Sequence, residues 1–359
     1  MARTFIKNLN EISMKDFDAV GGKNSSLGEM MSNLTELGIN VPGGFAITSS
    51  AFDEFLSSSK IDKVISKELA NLNVENLSDL RRTGKKLRGL ILKTPLPQNL
   101  ILEIEQAWLG VSKSGKSFAV RSSATAEDLP DASFAGQQET FLNIDGFDNL
   151  IDAVRKVYAS LFTDRAISYR RLRNFKGSLS ISVGVQEMVR SDMGSSGVAF
   201  TLDTESGYKG SIFITSSYGL GEGIVQGTVN PDEFYVFKRA LEKNDFPIIK
   251  KNMGEKAKKM IFADNNLPGK SVKYVKVPKK EANEFSLTNN EIIELAKYAK
   301  TIEDHYEVPM DIEWAKDGKD KKIYILQARP ETVQSKVSNY FERYTLKEKG
   351  ELIVSGKSV

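Results

Sequence analysis

The sequence has no cysteine and a single histidine, His305, in 359 residues. Disulfides, thiolate nucleophiles and thiolate zinc sites are therefore excluded, and so is any metal site built on several imidazoles. Charge of one sign is also missing. Fifty Lys and Arg face 47 Asp and Glu, a formal charge of +3 that gives no general reason to expect nucleic acid or an anionic membrane, so any anion site must be local. No stretch approaches about 18 apolar residues, and Met1 to Leu9 lacks the apolar core of a signal peptide. A soluble, cytoplasmic protein without membrane contact is expected. With 40% hydrophobic residues a sizeable core can form, and the length suggests two or three domains.

Hydrophobic spacing predicts three helices. Leu27, Met30, Met31, Leu34 and Leu37 form a stripe that starts after Gly21-Gly22-Lys23 and closes at Gly38. A second helix is expected from about Asn149 to Phe175, with Ile151, Val154, Tyr158, Leu161 and Phe162 inward. A third opens with Thr288 and Glu291 as a capping box and carries Ile292, Leu295, Ala299, Ile302 and Tyr306 on one side. Short β-like runs lie at Phe118 to Ser122, Ile181 to Val189, Gly197 to Asp203, Ile212 to Ser217, Asp232 to Lys238, Met310 to Ala315 and Lys322 to Arg329. Helices and strands are thus interleaved, an α/β or α+β class without repeats. The lysine-rich stretch Lys250 to Lys259 reads as a solvated surface segment, and His305 as a helix-end capping or packing residue.

Candidate chemistry concentrates in a few places. Asp311 and Glu313 are two apart in a predicted strand, so both carboxylates share a face and suit Mg²⁺ as hard oxygen ligands. The turn Lys316 to Lys321 predicts a hairpin whose return strand carries Gln327 and Arg329, again two apart. Pairing odd positions with odd gathers all four on one face, with Ile312, Trp314, Tyr324 and Leu326 on the other; a plain cross-strand salt bridge is the simpler outcome. Arg121 ends an apolar run, followed by Ser122-Ser123 and a long polar loop from Ala124 to Gln138, a pattern suited to phosphate with a covering lid. Gly21-Gly22-Lys23 and Gly219-Leu-Gly-Glu-Gly223 are glycine clusters that match no full phosphate-binding fingerprint.

These strings occur together and in order. Gly21-Gly-Lys-Asn-Ser-Ser-Leu-Gly28, Phe118-Ala-Val-Arg-Ser-Ser-Ala-Thr-Ala-Glu-Asp-Leu-Pro130, Ser133-Phe-Ala-Gly-Gln-Gln-Glu-Thr140, Leu161-Phe-Thr-Asp-Arg-Ala-Ile167, Met188-Val-Arg-Ser-Asp192, Tyr218-Gly-Leu-Gly-Glu222 and Gln327-Ala-Arg-Pro-Glu-Thr332 resemble the N-terminal ATP-grasp nucleotide-binding domain of the phosphoenolpyruvate synthases (pyruvate, water dikinases). The resemblance runs from about Phe5 to Val333. Pyruvate phosphate dikinases and rifampicin phosphotransferases share the domain and stand as alternatives, as does an ATP-binding module without catalysis.

The resemblance implies an ATP-grasp fold with ATP and Mg²⁺ between two subdomains, about 1–190 and 191–333. It assigns Lys23, Arg121 and Arg329 to the phosphates and the phosphoryl transfer, Gly136 and Thr140 to a loop over them at about 121–140, and Gln186 with Glu187 to the adenine and ribose. Asp311 and Glu313 fall on Mg²⁺, with Glu313 also at the nucleotide, and Gln327 joins Arg329 at the phosphates. The implied reaction converts ATP, pyruvate and water to AMP, phosphate and phosphoenolpyruvate through a histidine on a swivelling domain. Residues 334–350 would be a linker, and 351–359, with Leu352 and Val354 alternating, the truncated start of that domain. On this reading pyruvate is reached only through domains not in this sequence, His305 is not the acceptor, and a homodimer is an option for the full-length enzyme only.

Overall fold

The computed structural model describes residues 4–112, 115–123, 128–129, 132–133, 139–172, 180–243 and 245–332. Strand β1 (Ile6–Asn8) leads to helix α1 (Phe17–Asn33) and strand β2 (Gly44–Ile47), followed by helices α2 (Ser49–Ser58), α3 (Asp62–Ala70), α4 (Leu77–Lys93) and α5 (Gln98–Val111). Next come β3 (Phe118–Ser123), the short β4 (Asp128–Leu129) and β5 (Ala132–Ser133), β6 (Thr140–Ile144), α6 (Phe147–Ser160), α7 (Asp164–Leu172) and β7 (Ser182–Glu187). The chain then builds β8 (Ser195–Phe200), β9 (Ser211–Tyr218), α8 (Glu222–Val225), β10 (Asp232–Phe237), α9 (Lys238–Glu242), β11 (Ile248–Asn252), β12 (Lys258–Phe262) and β13 (Val272–Lys276). Helices α10 (Lys279–Ala282) and α11 (Asn289–Tyr306) precede the hairpin β14 (Met310–Lys316) and β15 (Ile323–Pro330).

Two sheets organise these elements. The first has the order β1-β2-β7-β3-β6 and the second β11-β10-β9-β8-β14-β15. All their strand pairings are antiparallel, so the class is α+β. Helices α2 to α7 cover the first sheet, where Phe52, Phe55, Leu87, Ile104, Trp108 and Tyr158 pack with Phe45, Phe118, Val120 and Val185. A second core joins Leu27 and Met30 of α1 and Ile292, Leu295 and Ile302 of α11 to Ile214, Phe234, Ile312 and Trp314. Among the described residues no helix is long and apolar enough to cross a membrane.

Helix α1 is the seam between the sheets. It begins at Phe17, seven residues before the expected start after Lys23, because Gly21 (φ 74°, ψ 169°) interrupts the helix without ending it. A side chain at Gly21 would place Cβ 2.3 Å from the Ser123 carbonyl oxygen. On one side Asn24 donates its N–H to Ser123 Oγ at 3.2 Å and its Nδ2 to Ser182 Oγ at 3.1 Å. On the other, Ser26 Oγ donates to the Ala328 carbonyl at 2.7 Å. The helix ends at Asn33, so Leu37 is exposed in a 3₁₀ turn and not part of the buried stripe; Gly38 (φ 87°) stops that turn in the left-handed region.

Three further expectations are corrected. The long second helix is two, α6 and α7, because Thr163 Oγ1 accepts the Ala166 N–H at 3.2 Å and starts a new helix. The buried pair Leu161 and Phe162 continues the apolar stripe across that break and hides it in the sequence; Arg173 and Phe175 lie outside the described residues. In the hairpin, Trp314 pairs with Ile325 while Glu313 pairs with Gln327, so Leu326 is a bulge residue and side-chain parity changes there. Ile323 and Ile325, not Tyr324 and Leu326, therefore join Ile312 and Trp314 in the core. The lysine run is not simply solvated, since Lys256 is fully buried against Asp232 at 2.5 Å.

Candidate functional site

Cross-strand register assembles the site. Asp311 stands opposite Arg329 and Glu313 opposite Gln327, so these four odd-numbered positions, before the register shift in β14 and after Leu326 in β15, share one face. Arg329 donates Nε and Nη2 to Asp311 Oδ2 at 2.9 and 2.8 Å, which is the simple cross-strand ion pair. Burial pushes the Asp311 carboxyl above its ordinary range, Arg329 pulls it back, and Glu313 and Glu331 push it up again.

Arg121 approaches the same hairpin from the first sheet. It lies buried in β3 between Thr140 of β6 and Gly184 of β7. Its Nη2 donates to the Leu326 carbonyl at 2.9 Å and its Nη1 to Gln327 Oε1 at 3.3 Å. Gln186 Nε2 reaches the same Leu326 carbonyl at 3.5 Å. Leu326 is the residue without a register partner in β14, and its carbonyl receives both side chains. Arg121, Gln186, Gln327, Asp311, Glu313 and Arg329 are thereby joined across the two sheets.

Lys23 sits on α1 two residues past the Gly21 break. Its charge reaches Glu222, a residue the sequence reading passed over as part of a glycine cluster. Burial raises the Glu222 carboxyl above its usual range, a hydrogen bond from Gln226 lowers it, Glu313 raises it and Lys23 lowers it. Gln226 Nε2 donates to Glu222 Oε1 at 2.7 Å. In the sequence Glu222 stands between Gly221 and Gly223 and closes the family-like string Tyr218-Gly-Leu-Gly-Glu222, but neither feature assigns it a role. The loop before it is held close to the sheet, where Ser196 Oγ donates to the Gly219 carbonyl at 2.6 Å.

Other predicted residues fall less centrally. Thr140 is exposed at the start of β6, directly opposite Arg121, and Gly136 lies outside the described residues. Glu187 ends β7 and is paired with Lys116 at 2.5 Å, beside Gln186 but facing the solvent edge. His305 is at the end of α11, where its Nε2 lies 3.2 Å from Glu29 Oε1 and its ring stands edge-on to Tyr306. That is the packing role expected of it.

Two carboxylates, an amide and a guanidinium thus share one face, met by a second buried guanidinium from the other sheet; guanidinium forks of this kind can take phosphate, and paired carboxylates a hard cation. Residues 17–348 match the family described as pyruvate phosphate dikinase, AMP/ATP-binding domain. The chain belongs to this family. This AMP/ATP-binding-domain chain is 58% identical over 340 residues to the phosphoenolpyruvate synthase of Neisseria meningitidis serogroup B, covering 93% of the chain and 43% of the relative. It is 52% identical over 359 residues to that of Pseudomonas aeruginosa (99% and 45%) and 51% over 353 residues to that of Escherichia coli (98% and 44%). The chain thus spans less than half the length of these curated relatives. In this AMP/ATP-binding domain Arg121 and Gln327, from segments far apart in the sequence, meet in a hydrogen bond, and Glu222 feels the charges of Glu313 and Lys23.

Proposed function

We propose that the chain holds Mg-ATP in the cleft between the two sheets and that, as part of a longer protein, it passes a phosphoryl group from ATP to a histidine on another domain. The reaction is that of a phosphoenolpyruvate synthase: ATP, pyruvate and water give AMP, phosphate and phosphoenolpyruvate. The observation that carries this reading is Arg121, whose guanidinium crosses from β3 to the Leu326 carbonyl and Gln327 of β15. A buried cation shared by both walls of a cleft is suited to polyphosphate bound between them.

Mg²⁺ fits the donors present. Among the described residues no group of three or more His, Cys, Asp and Glu could hold a metal, whereas Asp311 and Glu313 offer the one or two carboxylates that Mg²⁺ takes beside phosphate oxygens and water. When bound, the ion neutralises developing phosphate charge. Asp311 and Glu313 would hold it, and Lys23, Arg121 and Arg329 would orient the phosphates and meet the remaining charge without a covalent contribution from this chain. Arg329, which pairs with Asp311 in this structure, would share that carboxylate's neighbourhood with the phosphates. Gln186 and Glu187 would face the adenine and ribose, and Gly136 and Thr140 the phosphates from above. We further assign 1–190 and 191–333 to the two subdomains of an ATP-grasp fold, with α1 as the element they share, and 334–350 to a linker.

Titration calorimetry of this chain with ATP, in the presence of Mg²⁺ and then of EDTA, tests the reading. Binding with Mg²⁺ and its loss in EDTA are expected; equal affinity in both would remove Asp311 and Glu313 from the metal role.

A further inference from the structure

Strands β12 and β13 form a two-stranded hairpin outside both large sheets. An isolated hairpin is marginal in water, so its order must come from what it touches. At its root, Lys256 donates to Asp232 Oδ1 at 2.5 Å and to the Gly254 carbonyl at 3.0 Å. The Gly254 N–H reaches the same Oδ1 at 3.0 Å, and the N–H and Oγ of Ser286 reach Oδ2 at 2.8 Å each. Asp232 opens β10, so the root is fixed to the second sheet.

The flanks of the hairpin lie on the loop that carries Glu222. The Leu220 N–H donates to the Met260 carbonyl at 2.9 Å, and the Tyr274 hydroxyl lies 2.8 Å from Thr228 Oγ1. The Arg190 guanidinium sits 4.9 Å over the Phe262 ring. The far end of the hairpin then reaches the first sheet. Asn143 Nδ2 donates to the Ser271 carbonyl at 3.0 Å, Ser271 Oγ donates to the Leu142 carbonyl at 2.6 Å, and Lys156 Nζ donates to the Pro268 carbonyl at 3.0 Å. Leu142 and Asn143 belong to β6, the strand paired with β3 and hence with Arg121.

We propose that the β12–β13 hairpin is a strap that fixes the spacing of the two sheets, and so holds Arg121 of one wall against Glu222 and the carboxylate hairpin of the other. Its root is a buried ionic clamp, while its far end is held by three hydrogen bonds and can detach without either sheet unfolding, as local openings do. Ser271, Asn143 and Lys156 are positioning residues that act on the site through β6. The consequence for nucleotide affinity rests on the nucleotide reading of the cleft; the mechanical link does not.

The absence of cysteine allows a distance test. Asp148→Cys on α6 and Lys209→Cys beside β9, both exposed, would carry spin labels for pulsed distance measurement. The label-to-label distribution would be compared in three backgrounds: unaltered, Ser271→Ala with Asn143→Gly, and Lys156→Met alone. Without nucleotide, the double variant is expected to give a broader distribution, and Mg-ATP to bind about tenfold more weakly, the scale of losing one or two net hydrogen bonds. Adding Mg-ATP should narrow the distribution again. If the double variant lacks a cooperative thermal transition, Lys156→Met decides the question, with a smaller broadening expected. Identical distributions in all backgrounds overturn the strap. If the unaltered chain binds no Mg-ATP, the nucleotide reading fails, and the distances still decide the strap.

Discussion

Arg121 and Arg329 differ in what they hold in this structure, the Leu326 carbonyl and Gln327 against the Asp311 carboxylate. Replacing Arg121 by Ala removes donors to the Leu326 carbonyl and Gln327 and should weaken Mg-ATP binding by about 1.5–3 kcal/mol, the range for hydrogen bonds to a charged group. Arg329→Ala should cost a similar amount, read by the same calorimetry. A change below a few tenths of a kcal/mol in either variant would make that arginine purely structural. Lys256 poses a separate test. Both members of the Lys256–Asp232 pair are 0% exposed, so Lys256→Met leaves a buried carboxylate without its cation and should cost about 3–5 kcal/mol in chemical denaturation. A surface lysine, as the sequence suggests, would cost almost nothing. At this scale the pairs Asp311 with Arg329 and Glu313 with Gln327 were legible because alternation in a strand is a fixed period of two. Glu222 and Lys256 were not, because their environment is made by segments distant in sequence.

The elements follow local chemistry where it is strong. Helix α11 starts with the capping box the sequence predicts, Thr288 Oγ1 accepting the Glu291 N–H and Glu291 Oε2 accepting the Thr288 N–H. Thr288→Ala should destabilise the chain by about 1 kcal/mol. Burial works to raise the Glu291 carboxyl, but Lys316 and the Thr288 cap outweigh it and hold it below its ordinary 4.5. A lowered folded value means that this contribution is present above about pH 4.5 and lost as pH falls through the folded value. The stability difference between the natural chain and Glu291→Gln should therefore shrink toward zero in acid, as thermal melts across pH would read; a constant difference would contradict the assignment. Gly21→Ala should cost about 1–3 kcal/mol, since its backbone conformation is almost exclusive to glycine and its Cβ would strike Ser123.

The strands at 118–123, 182–187, 195–200, 211–218, 232–237, 310–316 and 323–330 match the β-like runs within a residue or two at every boundary but one, Asp203, which lies three residues past the end of its strand at Phe200. Helices α2 to α5 carried weaker signals. The buried face of α4 includes Thr83 and Gly84, and exposed Leu102 and Leu109 blur the Leu100, Ile104, Trp108 stripe of α5. The bulge at Leu326 was invisible for a different reason: it is set by pairing, and no single residue type announces it.

At the scale of the molecule, two antiparallel sheets meet along α1, Arg121 and the β12–β13 hairpin, and the proposed nucleotide site draws residues from both. The proposed transfer to a histidine elsewhere predicts that His305, held 3.2 Å from Glu29, does not become phosphorylated. Incubation with ATP labelled at the β- and γ-phosphates, followed by analysis for acid-labile phosphate, should find none on this chain; a stable phosphohistidine at His305 would overturn its packing role. The order of the motifs along the sequence made the family recognisable, whereas the seam role of α1 and the reach of the hairpin depend on contacts between residues more than a hundred positions apart. The most direct test remains calorimetry of this chain with ATP. The account predicts saturable binding with Mg²⁺ that EDTA abolishes and Arg121→Ala weakens, and it is contradicted if ATP binds equally well without the metal or does not bind at all.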